Sequence, residues 1–407
     1  MLEGIHFCSL FYIFYAGIFS IYRIWKKLTI PNIITLFLIV ILFFFWVPVL
    51  LDVFIGIPSY DKKFNQFNVV ANDLVTCIIY NFYIGSILFL YSSYILKKEL
   101  MISTLDIKNI LNISKRKKIV LYYFSFLPLF LFLLLDNPIQ YVIFKWIDSE
   151  LVIDDPLAVY VYRFTLLAAL TASILLVINI ENKKRIEILC SLLLLLCVIG
   201  LNGKRFIVPL ILIVCIGLYY FQGIKKKYRF LFQILFLLLL FGIFIKSYGK
   251  NITDSFDDTY TKLRIDFGRD DVTKYTIYTT FVKGESILEY PMQSFLFNLF
   301  FWIPREWWEN KPQPYAVYLT SSLLELKEIR YLNWSMTTSI LEETIANMNF
   351  MGFFFPYWFI LVLKKINKLP MYSRLVGILF CLMMFVVQFS AMHILFILFI
   401  ILYLSKK

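Results

Sequence analysis

Two adjacent cations, Lys204 and Arg205, form the sharpest basic feature of the chain, in the turn Asn202–Gly203–Lys204–Arg205 between two apolar stretches. Arginine binds phosphate through a planar fork of two hydrogen bonds, and lysine adds a compact positive charge. The pair is therefore a candidate anion site. The alternative is that both side chains only extend from an apolar environment to the water.

A second basic segment contains Arg305, directly after Pro304, and Lys311, directly before Pro312. Proline fixes the backbone geometry next to these basic residues, and the neighbouring Trp308 is typical of an anchor at lipid headgroup level. Arg305 and Lys311 are therefore further candidate phosphate ligands. The alternative is a plain interfacial turn, because Pro and Trp are common at membrane interfaces.

A third candidate site begins with the carboxylates Glu342 and Glu343, followed by Asn347 and Gly352. Glu343 and Asn347 are four residues apart, so they share one face of a helix. A carboxylate at this place could accept a proton from a hydroxyl group, which makes Glu343 a candidate general base. The residues support equally well an acid at a helix N-terminus that the helix dipole stabilises.

Arg264 and Arg269 lie among three acidic residues, Asp266, Asp270 and Asp271. Both arginines are candidate anion ligands. Local ion pairs are the alternative, and they suit most of these charges better.

Cysteine and histidine offer little further chemistry. None of the six cysteines belongs to a C-x-x-C pair, and the only two histidines are His6 and His393. We therefore expect no zinc or redox site. Each histidine is interpreted as a packed or interfacial residue, and Arg163, near the end of an apolar stretch, as a further candidate anion contact.

The elements that must position these residues are apolar. Hydrophobic residues make up 60% of the 407 residues, charged residues make up 16%, and the mean hydropathy is +0.77. Soluble domains contain about 25% charged residues. The composition thus excludes a soluble domain and predicts an all-α polytopic membrane protein. We predict about eleven spans, near 5–22, 32–51, 73–96, 119–135, 157–180, 186–202, 206–222, 230–247 and 345–363, with two short helices in 375–404.

This pattern divides the chain into three regions: 1–247 with the first eight or so spans, a long loop at 248–344, and 345–407 with the last three or so. Loops rich in Lys and Arg alternate along the chain, as at 97–118 and 364–374, and such loops face the cytoplasm. The N-terminus and the long loop are therefore predicted outside, and the C-terminus inside. Because this asymmetry explains the net charge of +13, nucleic acid is not an expected partner.

The order of these motifs resembles a known family, the Wzy-type polymerases of O-antigen and capsule repeat units. Those proteins are polytopic, carry a long outer loop before their last helices, and have an arginine turn between two middle spans. The chain departs from the family at Met348 and Asn349, where Phe-Gly is frequent. The following residues carry the resemblance: Gly203-Lys204-Arg205, Ile303-Pro304-Arg305-x-x-Trp308-x-x-Lys311-Pro312, and Glu343-x-x-x-Asn347-x-x-x-x-Gly352 leading into a span.

The resemblance implies a GT-C-like membrane glycosyltransferase whose site faces the outside of the bacterial cytoplasmic (inner) membrane. It implies transfer of a growing glycan from undecaprenyl pyrophosphate to a lipid-linked repeat unit, with no metal and no cofactor. The implied partners are the lipid-linked glycans, the bilayer, a chain-length regulator and a repeat-unit flippase. The implied site residues are Glu343 and Arg305 as catalytic residues, and Lys204, Arg205, Arg264, Arg269, Arg305, Lys311 and Asn347 as pyrophosphate or substrate ligands.

Two alternatives stay open. An O-antigen ligase, which passes a finished glycan to a lipid A core, usually has a histidine in the outer loop, and 248–344 contains none. A lipid-linked oligosaccharide flippase or another transporter would not be an enzyme. Transporters tend to carry charges near the bilayer midplane, and the predicted spans are nearly free of them.

Overall fold

The computed structural model describes residues 1–27, 32–101, 115–146, 155–182, 184–203, 256–326, 329 and 335–404. These residues form helices, and no strand occurs among them. Helices are expected because the backbone groups of a segment in lipid must be hydrogen-bonded within the segment. Lys204, Arg205 and the predicted spans at 206–222 and 230–247 lie outside the described residues.

We label the α-helices of the described residues in chain order. Their bounds are α1 (Leu2–Lys27), α2 (Ile33–Ile41), α3 (Val47–Phe54), α4 (Asn65–Asn72), α5 (Leu74–Tyr94), α6 (Lys115–Leu133), α7 (Pro138–Trp146), α8 (Pro156–Glu181), α9 (Arg185–Asn202), α10 (Phe256–Phe267), α11 (Asp270–Ile277), α12 (Gln293–Leu299), α13 (Tyr315–Leu323), α14 (Ile340–Met348), α15 (Phe355–Asn367), α16 (Met371–Met383) and α17 (His393–Leu404). A π-helical turn at Leu42–Trp46 joins α2 to α3.

Six helical segments in the described part of the chain are long and apolar enough to cross a membrane. A helical membrane protein is thereby confirmed, although the segments are fewer than the number of spans predicted. The six segments are Leu2–Lys26, Ile33–Phe54, Leu74–Tyr94, Pro156–Leu176, Arg185–Asn202 and Ile340–Asn367.

The span predicted at 119–135 is bent. Helix α6 is followed by α7 at an angle of 109°, which makes the pair a broken span or a re-entrant segment. Proline disfavours a helical conformation in the residue before it and cannot extend the helix. Pro138 at the start of α7 therefore explains the break.

The apolar run at 375–404 consists of two short helices, as predicted. Helices α16 and α17 have 13 and 12 residues, fewer than the roughly 20 that a single crossing needs. The turn was predicted at 388–390, and a 3₁₀ turn covers Phe389–Met392.

The span predicted at 345–363 begins earlier than expected. Helix α14, a 3₁₀ turn at Asn349–Phe354 and α15 together form the segment Ile340–Asn367. Glu343 therefore lies within this apolar segment instead of in the preceding loop.

The described helices pack around a main apolar core and smaller ones. Helix α1 packs along α5, and α8 lies against both α6 and α9. The main apolar core also includes residues of α2 and of α14 to α16. A smaller second core, which includes Phe67, Tyr275 and Tyr318, belongs to the short helices α4, α11 and α13. Helix α11 packs against α4, α5 and α14 and thus connects these two cores.

Candidate functional site

The short helix α12 contacts three of the predicted site residues, Lys311, Glu343 and Asn347. It begins after Met292, whose φ of 64° is left-handed. The first residue, Gln293, is fixed by two hydrogen bonds with Glu289, one from its Nε2 at 2.8 Å and one to its Oε1 at 3.0 Å. Ser294 and Asn298, four residues apart, form one polar face of this helix.

Glu343 of α14 contacts this polar face. Its Oε1 accepts hydrogen bonds from Ser294 Oγ at 2.9 Å and from Asn298 Nδ2 at 2.8 Å. Asn347 donates to Ser294 Oγ and to the Glu343 main-chain oxygen, both at 2.7 Å. Its own Oδ1 is buried and has no partner in the described part of the chain. Because Glu343 is only 3% exposed, its carboxyl group is enclosed among neutral donors.

The neighbouring acid, Glu342, has a structural role. It forms a capping box with Ser339 at the start of α14, which satisfies main-chain donors that the first turn leaves free. Its Oε2 also accepts from Thr273 Oγ1 at 3.2 Å and so ties α14 to α11. Both acids lie in the first turn of α14, where the helix dipole favours a negative charge. Glu342 also forms the cap, whereas Glu343 contacts α12.

The backbone after α14 explains two positions of the third motif. A Cβ on Gly352 would lie 2.4 Å from the Thr344 main-chain oxygen and 2.6 Å from Ile345 Cα, so the chain can turn back over α14 only at a glycine. Asn349 has φ 51° and ψ −129°, a conformation that favours glycine. The departure from the family pattern at Asn349 thus places a non-glycine residue in a glycine conformation.

Lys311 lies next to the other side of α12. Its Nζ donates to the main-chain oxygens of Phe301 at 2.9 Å and Ile303 at 2.7 Å and lies 5.3 Å from the centre of the Phe297 ring. Lys311 is 7% exposed. Burial, and secondly the nearby charge of Arg305, lower the pKa of the ammonium group.

Arg305 is exposed and is bound to the same loop. Its Nη1 donates to the Lys311 main-chain oxygen at 2.9 Å and its Nη2 to that of Pro312 at 3.1 Å. In the described part of the chain, neither Arg305 nor Lys311 forms an ion pair. Main-chain oxygens fix the direction of both side chains without neutralising them, so the two positive charges remain available to an anion.

His393, the first residue of α17, brings a further element to this place. Its ring stacks on Phe301, with 3.9 Å between the ring centres and 15° between the planes. The positive charges of Arg163, on α8, and of Lys311 act electrostatically on the imidazole group of His393. Arg163 is exposed and has no ion pair among the described residues. We call Arg163, Arg305, Lys311 and His393 the basic cluster.

The first two residues of the first predicted motif, Asn202 and Gly203, lie close to the same helix, α8. Asn202 donates from Nδ2 to Thr165 Oγ1, and Thr165 lies two residues after Arg163 on α8. Gly203 has φ 97°, and a Cβ there would lie 2.9 Å from a main-chain oxygen of α7, which restricts the position to glycine. The chain therefore leaves Gly203 from a point beside α7 and α8, and the two cations at 204–205 lie outside the described residues.

Arg264 lies in a different place, a buried ion-pair cluster that also contains Asp52, Asp270, Asp271 and Lys274. Arg264 donates from Nη1 to Asp52 at 2.7 Å, and from Nη2 to Asp270 at 2.8 Å and to Asp271 at 3.2 Å. Lys274 donates to Asp270 at 2.9 Å and to Asp52 at 3.1 Å. A phosphate group could bind the fork of Arg264 only by displacing a carboxylate.

The ion-pair cluster contains three carboxylates and two cations. Burial, and secondly the charge of Asp270, raise the pKa of Asp271 to about 6. Burial acts in the same direction on Asp270, but the cations of Arg264 and Lys274 outweigh it and hold the pKa of that carboxyl below its usual value. Tyr60 donates its hydroxyl to Asp271. A proton is therefore taken up most easily at Asp271.

Arg269 is buried between helices and contacts the main chain. Its Nε donates to the Val386 oxygen and its Nη1 to the Gly268 oxygen, both at 3.0 Å, and the guanidinium lies 5.7 Å from the centre of the Phe44 ring. These contacts join α11 to the segment after α16 and to the π-helical turn. The structure thus places Arg264 in the ion-pair cluster and Arg269 beside the π-helical turn. Lys311, Glu343 and Asn347 contact α12. Arg305 binds the loop that carries Lys311.

Sequence reasoning missed the donors to Glu343 and the partners of Arg264. Ser294 and Asn298 are two polar residues with helical spacing in an apolar stretch, and this spacing was a usable signal. Asp52 lies 212 residues before Arg264, so no local pattern connects the two residues.

Comparisons of the chain with protein-family models, with curated proteins and with solved structures find no match.

Proposed function

We propose that this protein is a polysaccharide polymerase of the bacterial cytoplasmic membrane, a GT-C-like glycosyltransferase with its site on the outer face. It would join oligosaccharide repeat units carried on undecaprenyl pyrophosphate. Such an enzyme must hold an anionic leaving group next to a proton acceptor. The observation that supports the proposal is that one short helix, α12, contacts both the enclosed carboxyl group of Glu343 and the unneutralised cation of Lys311.

In the proposed reaction, the bond between the anomeric carbon of the donor glycan and its pyrophosphate oxygen breaks. A hydroxyl oxygen of the acceptor sugar forms the new glycosidic bond, and its proton goes to Glu343. The pyrophosphate leaves with both electrons of the broken bond. Fixed cationic donors stabilise the charge that develops on the leaving oxygen. Arg305 supplies a bidentate fork, and Lys311 has a third N–H after its two bonds to main-chain oxygens.

The hydroxyl group of Ser294 forms the hydrogen bond to Glu343 that an acceptor hydroxyl would need to form. It donates to Glu343 Oε1 at 2.9 Å, which is the distance at which a general base takes a proton from a sugar hydroxyl. An acceptor hydroxyl that replaces Ser294 at Oε1 would form the same bond. The hydroxyl group of Ser294 therefore marks the position that we propose for the acceptor hydroxyl.

Deletion of the gene tests the proposed reaction. We expect surface glycan to fall from long polymer to a single repeat unit on its carrier or core, as measured by glycan size analysis. Long polymer in a deletion strain without a second polymerase gene would refute the proposal. Loss of even the single unit from the surface would instead favour a flippase, because a flippase delivers the unit before polymerisation.

Two neighbouring substitutions test the role of Glu343. Glu343→Gln keeps the hydrogen-bonding shape but removes the base, and we expect polymer formation to fall roughly 10²- to 10⁴-fold. Glu342→Gln is the matched control, because glutamine also completes a capping box, and it should keep most of the activity. Equal activity of both variants at equal protein level would exclude Glu343 as the base.

A further inference from the structure

We propose that His393 is a further substrate-contacting residue of this site, whose Nε2 binds an oxygen of a phosphate oxyanion together with Lys311 and Arg163. The assignment of that oxyanion to the lipid carrier depends on the proposed function. The binding of an oxyanion by this histidine does not depend on it.

The imidazole ring of His393 is positioned by aromatic contacts. Phe301 stacks on it with 3.9 Å between the ring centres, Phe389 packs against it at 5.6 Å with planes at 67°, and Phe297 lies 6.1 Å away. Three rings from two segments of the chain thus fix the plane of the imidazole. A ring fixed in this way can direct a nitrogen atom without a hydrogen bond to the protein.

The Nε2 atom of His393 is buried and has no hydrogen-bond partner among the described residues. A buried polar atom without a partner costs free energy, and most buried polar groups in folded proteins do have one. A histidine needed only for packing among Phe297, Phe301 and Phe389 could be replaced by phenylalanine at no such cost. The buried nitrogen without a protein partner therefore fits a ligand-binding role better than a packing role.

The charges around His393 determine what that ligand is. Two cations act electrostatically on the imidazole group of His393. They are Arg163, on α8, and Lys311, in the loop after α12. These two charges disfavour a metal cation and favour an anion. Lys311 also has an N–H left after its two main-chain bonds. An oxyanion next to Lys311 could therefore accept hydrogen bonds from both the ammonium group and Nε2–H.

The test uses the purified full-length protein and measures the binding of inorganic pyrophosphate and of farnesyl pyrophosphate. His393→Phe keeps the aromatic packing but removes Nε2. We expect both probes to bind this variant roughly 10- to 100-fold more weakly, the loss expected for one hydrogen bond to a charged group. His393→Gln keeps an N–H donor and should lose less. His6→Phe, the same change at the other histidine, on α1, should bind like the wild type.

Two nanodisc compositions distinguish the sources of the oxyanion. One set of nanodiscs contains phosphatidylcholine alone, and the other also contains phosphatidylglycerol. If the affinity for farnesyl pyrophosphate is the same in both, phosphatidylglycerol does not compete and the site binds a carrier-like pyrophosphate. Competition by phosphatidylglycerol would assign it to a lipid headgroup, and both results support an oxyanion at His393. Equal affinity of the wild type and His393→Phe for both probes would overturn the proposal. If deletion leaves polymer length unchanged while His393→Phe still weakens pyrophosphate binding, only the proposed function fails.

Discussion

In the ion-pair cluster, the cations of Arg264 and Lys274 donate to three carboxylates. In the basic cluster, by contrast, the partners of Arg305 and Lys311 among the described residues are main-chain oxygens. The first arrangement neutralises charge inside the fold. In the second arrangement, main-chain oxygens orient the two cationic side chains without neutralising their charge. Both regions contained arginines that the sequence offered as candidate anion ligands, so the difference lies in which partners the fold supplies.

This contrast separates structural cations from cations that can bind a ligand. A buried ion pair is disrupted when one partner is removed, because the other charge is then buried without compensation. A cation bonded to main-chain oxygens leaves no opposite charge behind when it is removed. Substitutions in the two clusters should therefore affect different properties, stability in one and reaction in the other.

The largest effect is expected for Arg264→Ala. It leaves Asp52, Asp270 and Asp271 with Lys274 as their only cation, and we expect the free energy of unfolding to fall by roughly 3–5 kcal/mol. Unfolding of the purified protein in mixed micelles measures this change. Arg305→Ala, at an exposed position, is the control and should change stability by less than about 0.5 kcal/mol. If Arg264→Ala is as stable as the control, the ion-pair cluster does not stabilise the fold.

The second effect is on the reaction. Arg305→Ala should leave protein level and membrane insertion intact but reduce polymer formation about 30-fold or more, as expected for a lost charged contact to phosphate. Arg305→Lys should restore little, because lysine lacks the bidentate fork. Polymer length and yield at matched expression measure both variants. Near-normal polymer from Arg305→Ala would place this arginine outside the site, and full rescue by lysine would show that only the charge matters.

The sequence predicts local features of this molecule well, because they depend on spacing. Apolar runs predict the helices, and the four-residue spacing of Glu343 and Asn347 places both on α14. The pair Ser339 and Glu342 also has capping-box spacing. The sequence alone therefore indicates that Glu342, not Glu343, forms the helix cap.

Partners far apart in the chain could not be predicted in this way. Arg264 and Arg305 are both arginines near aspartate or aromatic residues in one long loop, and only the fold brings Asp52 to the first. His393 read as a packing residue because its neighbours in sequence are apolar. Its relation to Arg163 and Lys311 arises from the packing of α17 near α8 and α12.

The smallest effect concerns the pH dependence of stability in the ion-pair cluster. Because the pKa of Asp271 is raised to about 6 in the folded protein and is about 3.9 in an unfolded chain, the folded state binds more protons between these values. Its contribution to stability is therefore full below about pH 4 and is lost as the pH rises to about 6, with a slope of at most about 1.4 kcal/mol per pH unit. Asp271→Asn should remove this slope. The difference between the two unfolding profiles from pH 4 to 7 isolates Asp271 from every other titrating group.

Arg305→Ala should keep the wild-type profile, because Arg305 has no contact with this cluster. Parallel profiles for the wild type and Asp271→Asn would show that the proton is held elsewhere, and the excess negative charge would then have to be compensated by a group other than Asp271.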